Sequence, residues 1–432
     1  MMLDTLIKNA VVIPMTQRNL VLRDCSVGIR DGKIAYIGSE TPEANEVIDA
    51  AGRTVMPGLI NAHAHTAMCV MRGYADDYSL RSWLFDKVFP VEARLDERAI
   101  VAGAVLGIAE MLRTGTISFS DMYFCQPAVA KAAERIGIKA NLCNAVIALG
   151  DDYDFEKDRA VIETRKLLEE YGSTGPIRAD VAIHAEYTSS PAVWKRVHEW
   201  AKDHGVITHI HLSETRAEHE EAKARRGMSA AAAFEANGVF DTPVLAAHGV
   251  WLDREDMDIL ASHGASVAHC PVSNMKLGSG MANVRAMTDA GVNVCLGTDG
   301  VCSNNSLDLF EEIKLSALLA KAEALDPTAL PAYDALKMAT VNGAAAQGRA
   351  DETGRIALGL DADIIMLDTN APHLRPSYDP IATAVYSAHG SDVCMTMVRG
   401  RILYRDGEWL TLDIEKALRE VEEYAVPIVL GK

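Results

Sequence analysis

Two histidines, His63 and His65, close the apolar run Pro57-Gly58-Leu59-Ile60-Asn61-Ala62. In a strand, residues i and i+2 face the same side, so both imidazoles point one way. Two neutral imidazoles on one face suit a borderline metal such as zinc or iron. The segment His209-Ile210-His211-Leu212-Ser213-Glu214 repeats the arrangement at a second strand-like end. His211 lies nearer that end, while His209 reads as a buried histidine with its hydrogen bonds met. Glu214, just beyond, is placed for acid–base work. Single ionisable residues follow two further apolar runs: His248 after Val244-Leu245-Ala246-Ala247, and Asp299 after Leu296-Gly297-Thr298. A lone Asp in such a turn is most often a cap or an Asx-turn, but a whole set at successive strand ends is harder to dismiss. It offers histidines and a carboxylate as ligands, with further groups for proton transfer, and a catalytic metal site needs protein ligands plus an open position for water. His198, His204, His219, His263, His373 and His389 fall on helical or loop patterns and read as surface or packing residues. His269 ends a strand pattern and is a candidate support for the site. The acidic run Glu218–Glu221 reads as a solvated helix face.

The elements that must position this set alternate along the chain. Strand patterns are expected over Val55–Asn61, Ile117–Asp121, Lys139–Ile147, Arg178–Ala185, Val206–Leu212, Val244–His248, Ser266–Cys270 and Val292–Thr298. Helical patterns such as Glu97–Thr114 and Pro191–His204 fill most gaps. Gly115, Gly137, Gly205, Gly264 and Gly291 stand where a helix should stop before the next strand. Eight strands alternating with helices predict an α/β fold, a (β/α)₈ barrel whose chemistry sits at the C-terminal mouth. The alternative is an open doubly wound sheet, which the lack of an early GxGxxG disfavours. Both ends of the chain carry short strand patterns: Leu6–Ile13, Val27–Arg30 and Lys33–Ile37 at one end, with a hairpin turn at Asp31-Gly32, and Asp363–Leu367, Val393–Val398 and Arg401–Tyr404 at the other. Neither end suffices for a sheet alone. Residues 1–56 and 358–432 are therefore expected to form one small β-sandwich domain around a barrel of 57–357.

A net charge of −18 repels polyphosphate, which argues against nucleic-acid or anionic-membrane partners. No run approaches 18 apolar residues, so no membrane span is expected. The N-terminus lacks a basic, then apolar, leader pattern. The eight cysteines are scattered without a CxxC pair. These features predict reduced thiols in a cytoplasmic protein. A homo-oligomer is compatible with all of this.

The chemistry-bearing segments together resemble the amidohydrolase superfamily. Within it they are most similar to the methylthioadenosine/S-adenosylhomocysteine deaminases, relatives of the triazine hydrolases and guanine deaminases. The resemblance rests on Pro57–His65, His211-Leu212-Ser213-Glu214, His269-Cys270-Pro271-Val272-Ser273-Asn274, Gly297-Thr298-Asp299-Gly300, Ser303–Asp308 and Gly359–Asp363, and runs over nearly the whole chain. The other large class of zinc deaminases, marked by HxE and PCxxC, does not fit the cysteine pattern. The resemblance implies one divalent metal per chain, zinc ahead of iron, on His63, His65, His211 and Asp299. One metal is implied because the fourth strand ends Ile183-His184-Ala185-Glu186, without the lysine of two-metal members. It further implies Glu214 as the proton carrier to the ring nitrogen and His248 as the histidine that orients the attacking water. Asp299 joins His248 in moving that water's proton. Glu92 is implied as the ligand of the ribose hydroxyls, His184 as a second substrate contact, and Trp83 with Leu84 as an apolar wall.

The implied reaction is hydrolytic deamination of an adenine nucleoside: methylthioadenosine, S-adenosylhomocysteine, 5′-deoxyadenosine or adenosine. A triazine or aryl chlorohydrolase, or a guanine-type deaminase, is the alternative on the same scaffold. Two departures bear on the 5′ group. The stretch Asn144–Asp152 is acidic and lacks the arginines that some members offer to a homocysteine carboxylate, leaving Arg72 or Arg159 as sources. Glu186 stands where a neutral residue, often proline, is expected. Both predict that an uncharged 5′ group is preferred to a zwitterionic one.

Overall fold

The computed structural model describes residues 2–148 and 153–432. Short strands open the chain: β1 Leu3–Val12, β2 Leu22–Arg30, β3 Lys33–Gly38, β4 Ala44–Asp49 and β5 Thr54–Pro57. Next come the strands that carry the site: β6 Leu59–Ala64, β7 Thr116–Tyr123, β8 Lys139–Asn144, β9 Ile177–Ala179, β10 Val181–Ile183, β11 Thr208–Leu212, β12 Val244–His248, β13 Ser266–His269 and β14 Asn293–Leu296. The last four are β15 Ile364–Leu367, β16 Val393–Val398, β17 Arg401–Arg405 and β18 Glu408–Trp409.

β6 to β9 pair in parallel, as do β10 to β14. β9 and β10 are two halves of one strand, broken at the buried Asp180. Its N–H donates to the Leu142 carbonyl (2.8 Å), and its carboxylate accepts from Asn141 Nδ2 (2.9 Å) and from the Ile207 N–H (3.2 Å). The ring shuts where Ala64 pairs in parallel with Asp299 and the Asp299 N–H donates to the His63 carbonyl (3.0 Å). Eight parallel strands thus close as a TIM-barrel-type α/β fold, with helices between them. Gly297 permits the closure. A Cβ there would lie 2.7 Å from the His63 Cβ and 2.9 Å from its backbone, so any side chain would push β14 off β6. The helix Glu97–Arg113 shows how local sequence sets each outer element: Asp96 caps its first turn by accepting the Ala99 N–H (2.9 Å), and it ends at Thr114 before Gly115, whose φ is +90°.

Within the barrel, Gln347 ties β6 to β7, donating to the Asn61 carbonyl (3.3 Å) and Ser120 Oγ (3.0 Å) while accepting from Ser118 Oγ (2.5 Å). The fully buried Arg349 donates to the Ala140 (3.1 Å) and Pro176 (2.9 Å) carbonyls and to Asn141 Oδ1 (3.0 Å). Burial holds that guanidinium down to about 10.

The remaining strands form one nine-stranded sheet in the order β18-β17-β16-β15-β5-β1-β2-β3, with β4 on β1. Its two halves come from opposite ends of the chain and join where β5 runs antiparallel to β15. Lys139, buried at the start of β8, reaches Asp361 (2.8 Å) and Asp363 (2.6 Å) and ties the barrel to this sheet.

Three expected strands differ in detail. Val55–Asn61 is not one strand: Gly58 turns the chain, donating its N–H to the Asp363 carbonyl (3.0 Å), so that β5 and β6 serve different sheets. Arg178–Ala185 is interrupted at Asp180, and Lys139–Ile147 stops at Asn144. No helix among the described residues is long and apolar enough to cross a membrane.

Candidate active site

His63 lies near the end of β6 and His65 directly follows it, His211 lies near the end of β11, His248 ends β12, and Asp299 follows β14. The barrel brings all five to its C-terminal mouth. Asp299 Oδ1 stands 3.4 Å from His63 Nε2 and 3.2 Å from His65 Nε2, and His65 Nε2 stands 3.4 Å from His211 Nε2. Each of the three rings is fixed through its other nitrogen. His63 Nδ1 pairs with His209 Nε2 (2.9 Å), His65 Nδ1 with the Met122 carbonyl, and His211 Nδ1 with the His184 carbonyl (2.7 Å). A carbonyl can only accept, so His65 and His211 carry their proton on Nδ1 and turn a lone pair inward from Nε2. Asp299 is divided the same way. Its Oδ2 accepts from Ser273 Oγ (2.6 Å) and Ser303 Oγ (2.8 Å), while Oδ1 accepts only the Gly300 N–H (2.8 Å) and faces the imidazoles.

This donor set fits a divalent cation. His63 Nε2 is buried without a hydrogen-bond partner, and ligand atoms of His63, His65 and His211 lie within 4.8 Å of one another. Burial holds His63 down at about 4 and pushes His211 well below its usual range, so both are in the neutral, ligating form at pH 7. His65 differs. Burial works against its charge, but Asp299, Asp121 and the Met122 carbonyl hold it up at about 9. The negative field that draws a proton onto His65 draws a metal cation equally, and the two compete for one lone pair. Burial alone would raise Asp299, yet His63 and His65 hold it well below the carboxylate range.

Glu214 and His248 stand beside this cluster. His248 Nδ1 donates to Asn274 Oδ1 (2.9 Å), which leaves Nε2 basic and 3.7 Å from Glu214 Oε2. Burial raises the Glu214 carboxyl. Ser213, His248 and Asp299 all have left-handed backbone, with φ of +48°, +74° and +60°. Each such residue costs of the order of 1–3 kcal/mol, and the strain collects at the three turns that aim Glu214, His248 and Asp299 inward.

The cluster opens into a concave pocket at the barrel mouth, whose wall includes His65, His211, His248 and Asp299 themselves. Glu92, His184 and Trp83 line it, with Phe89, Tyr123 and Phe124. Burial lifts the Glu92 carboxyl to about 7. His184 Nδ1 meets Thr188 Oγ1 (3.0 Å), and its ring is held down at about 3 by burial. Every residue expected at the site therefore lies at this mouth.

Two sequence expectations need correction. Glu186 leaves no free negative charge at the fourth strand end, because it is fully buried between Arg225 and Arg226. Glu218–Glu221 is not a uniformly solvated face: Glu218 and His219 are buried, and only Glu220 and Glu221 are exposed. Of the two arginines considered for a substrate tail, Arg72 is tied to Glu110 and to the Asn305 carbonyl. Arg159 lines an outer pocket that shares Phe89, Glu92, Phe124, Ala145 and Ile147 with the first, and its Nε is 2.7 Å from Glu163. Of the acidic stretch Asn144–Asp152, residues 149–152 lie outside the described residues. Asn274, Ser273 and Ser303, which hold His248 and Asp299, sit in segments quoted above for the resemblance, but their partners could not be read from sequence.

A parallel barrel with imidazoles and a carboxylate gathered at its mouth defines a metal-dependent hydrolase scaffold, and the chain belongs to the amidohydrolase family, whose pattern matches residues 54–403. It is 44% identical to a 5′-deoxyadenosine deaminase of Methanosarcina mazei over 431 residues, covering 99% of each chain. It is 41% identical to a 5-methylthioadenosine/S-adenosylhomocysteine deaminase of Acetivibrio thermocellus, covering 98% of this chain and 99% of the relative. Among solved structures, an adenosine deaminase from Xanthomonas campestris with bound zinc superposes with a TM-score of 0.94 at 31% identity, over 99% of both chains.

Proposed function

We propose that this chain hydrolyses the 6-amino group of adenine nucleosides, releasing ammonia and the inosine analogue. The observation that carries the reading is the convergence of His63, His65, His211 and Asp299 beside Glu214 and His248, at the floor of a pocket lined by Glu92, His184 and Trp83. Those first four residues would hold one divalent ion, zinc as in the Xanthomonas relative or else iron, which supplies Lewis acidity that brings a water's pKa toward neutrality.

The chain's own groups supply the rest. Attack of water oxygen at C6 pushes electrons into the ring, so N1 must gain a proton. Glu214, whose carboxyl burial raises toward the protonated form, donates it. His248, with Nδ1 spent on Asn274 and Nε2 free, takes the proton that the attacking water loses, and with Asp299 returns it to the departing amine. The C6–O bond forms, the C6–N bond breaks as ammonia leaves, and the remaining hydroxyl proton, lost as the C6 carbonyl forms, passes by way of His248 to restore Glu214. Each correctly placed proton transfer contributes roughly 10²–10⁴-fold. Glu92 receives the two ribose hydroxyls, His184 makes a second substrate contact, and Trp83 with Leu84 forms the apolar wall. A chlorotriazine hydrolase shares the fold, but paired carboxylates at Glu92 and Glu214 favour a substrate with a diol and a basic ring nitrogen. We further read 1–56 and 358–432 as a small β-sandwich domain around the barrel of 57–357. The partner is a small nucleoside rather than nucleic acid or a membrane, a homo-oligomer is compatible with this reading, and eight unpaired thiols suit a cytoplasmic setting.

The test is ammonia release from adenosine, 5′-deoxyadenosine, methylthioadenosine and S-adenosylhomocysteine by zinc- and iron-loaded protein. Turnover of at least one, abolished by chelation, is expected. No ammonia from any of them by metal-replete protein overturns the reading.

A further inference from the structure

The Glu214 carboxyl has only loose partners of its own. Ser279 Oγ lies 3.5 Å from Oε1, and His248 Nε2 lies 3.7 Å from Oε2. Its aim therefore depends on its backbone, which follows the left-handed Ser213 (φ +48°). An isolated serine would not hold that conformation without help.

The help comes from the helix Arg216–Arg226. Thr215 caps it, accepting the Glu218 N–H at Oγ1 (3.1 Å). In an ordinary capping box the third-position glutamate answers by accepting the cap residue's own N–H. Here that contact is the weakest, at 3.4 Å from Thr215 N. The Glu218 carboxylate instead reaches two residues further back, accepting the Glu214 N–H at Oε2 (2.8 Å) and the Ser213 N–H at Oε1 (3.1 Å). Capping glutamates are usually solvated, but Glu218 is buried and lines the same cavity as Glu214.

We propose that Glu218 is a positioning residue, whose carboxylate clamps the amides of Ser213 and Glu214 and so fixes the turn that aims the Glu214 carboxyl at the substrate ring. The inference rests on the reading of Glu214 as the proton carrier. Burial, and then the neighbouring Glu214, lift Glu218 to about 7. The clamp thus stands in the low-polarity surroundings where a hydrogen bond to a carboxylate is strongest.

The experiment is a double-mutant cycle on the metal-loaded enzyme, with Glu218→Ala, Glu218→Gln, Glu214→Gln and the Glu214→Gln/Glu218→Ala pair. For each, kcat, KM and bound metal are measured. Glu218→Ala should lose roughly 10- to 1,000-fold in kcat, within the span of one acid–base group, at near wild-type KM and metal content. Glu218→Gln should recover part of it, since its amide oxygen still accepts one of the two N–H groups. In the Glu214→Gln background, removing Glu218 should change kcat by less than about threefold, because a residue acting only through another has nothing left to act on. Wild-type kcat in Glu218→Ala, or losses that multiply in the pair, overturns the proposal. If Glu218→Ala does not fold, Glu218→Gln decides alone: a reduced kcat with intact metal supports the clamp, and an unchanged kcat refutes it. Full activity in Glu214→Gln would instead remove the proton-carrier role, and this inference with it.

Discussion

Each imidazole at the mouth is held by the nitrogen that faces away from the site. His65 and His211 hang from the carbonyls of Met122 and His184, and His63 from His209. Glu214 is held only loosely at its carboxyl, so its chemistry separates cleanly from metal binding. Glu214→Gln should keep its metal, by elemental analysis, while kcat falls by about 10²-fold or more. Glu92 carries a pH signature. Burial holds its carboxyl at about 7, so the free enzyme loses its carboxylate as pH drops below that value. Only the ionised form can accept both ribose hydroxyls. KM for adenosine should therefore rise on acidification, approaching about tenfold per pH unit, and level off above pH 7. A KM in Glu92→Gln that still shows this limb would assign it to another group.

At the scale of elements, the closure of β14 on β6 sets the distance between Asp299 and the two histidines. Gly297→Ala would place a Cβ 2.7 Å from that of His63, and relief must part the strands. Overpacking of this kind costs about 1–3 kcal/mol, so a lower Tm together with less than stoichiometric metal is expected. Normal metal content would show that the barrel absorbs the strain elsewhere. The helix Arg159–Glu170 bears on substrate choice. Its N-terminal end brings Arg159 to the outer pocket together with Asp158 and Glu163, and Glu92 faces the same space, so one cation answers three carboxyl groups beside Phe89, Phe124 and Ile147. With Glu186 neutralised, this acidic excess is what disfavours a homocysteine tail. Methylthioadenosine or 5′-deoxyadenosine should have the higher kcat/KM, and S-adenosylhomocysteine emerging as the best substrate would mean that Arg159 leaves Glu163 to meet it. These elements also show what sequence can carry. Ionisable residues at strand ends were legible because period-2 alternation and a following turn fix both face and end, as at His63, His65, His211 and His248. Glu218 was not, because a glutamate that clamps two amides and one on a wet helix face share one local pattern. Glu186 was misread because Arg225 and Arg226, which cancel its charge, lie some 40 residues away on another element.

At the scale of the molecule, the barrel and the terminal sheet meet at a buried charge cluster. Lys139 lies between Asp361 and Asp363 with almost no exposure. Lys139→Met leaves two buried carboxylates without their cation, a loss of about 3–5 kcal/mol. A marked fall in Tm is expected, with kcat per metal-loaded molecule nearly unchanged. An unaltered Tm would mean that Lys33 and Arg399, which also approach Asp361, suffice. The sheet itself is shared by the two ends of the chain, since β5 finds its partner β15 only after the whole barrel has been threaded between them. On a ribosome adding about 5–20 residues per second, the roughly 300 residues from Pro57 to Ile364 keep the edge of β5 unmatched for about 15–60 seconds. A strand made before the barrel is thus completed only after it. A nascent chain stalled within the barrel would present an open, apolar sheet edge, and the interval before β15 appears is when this protein most needs a chaperone.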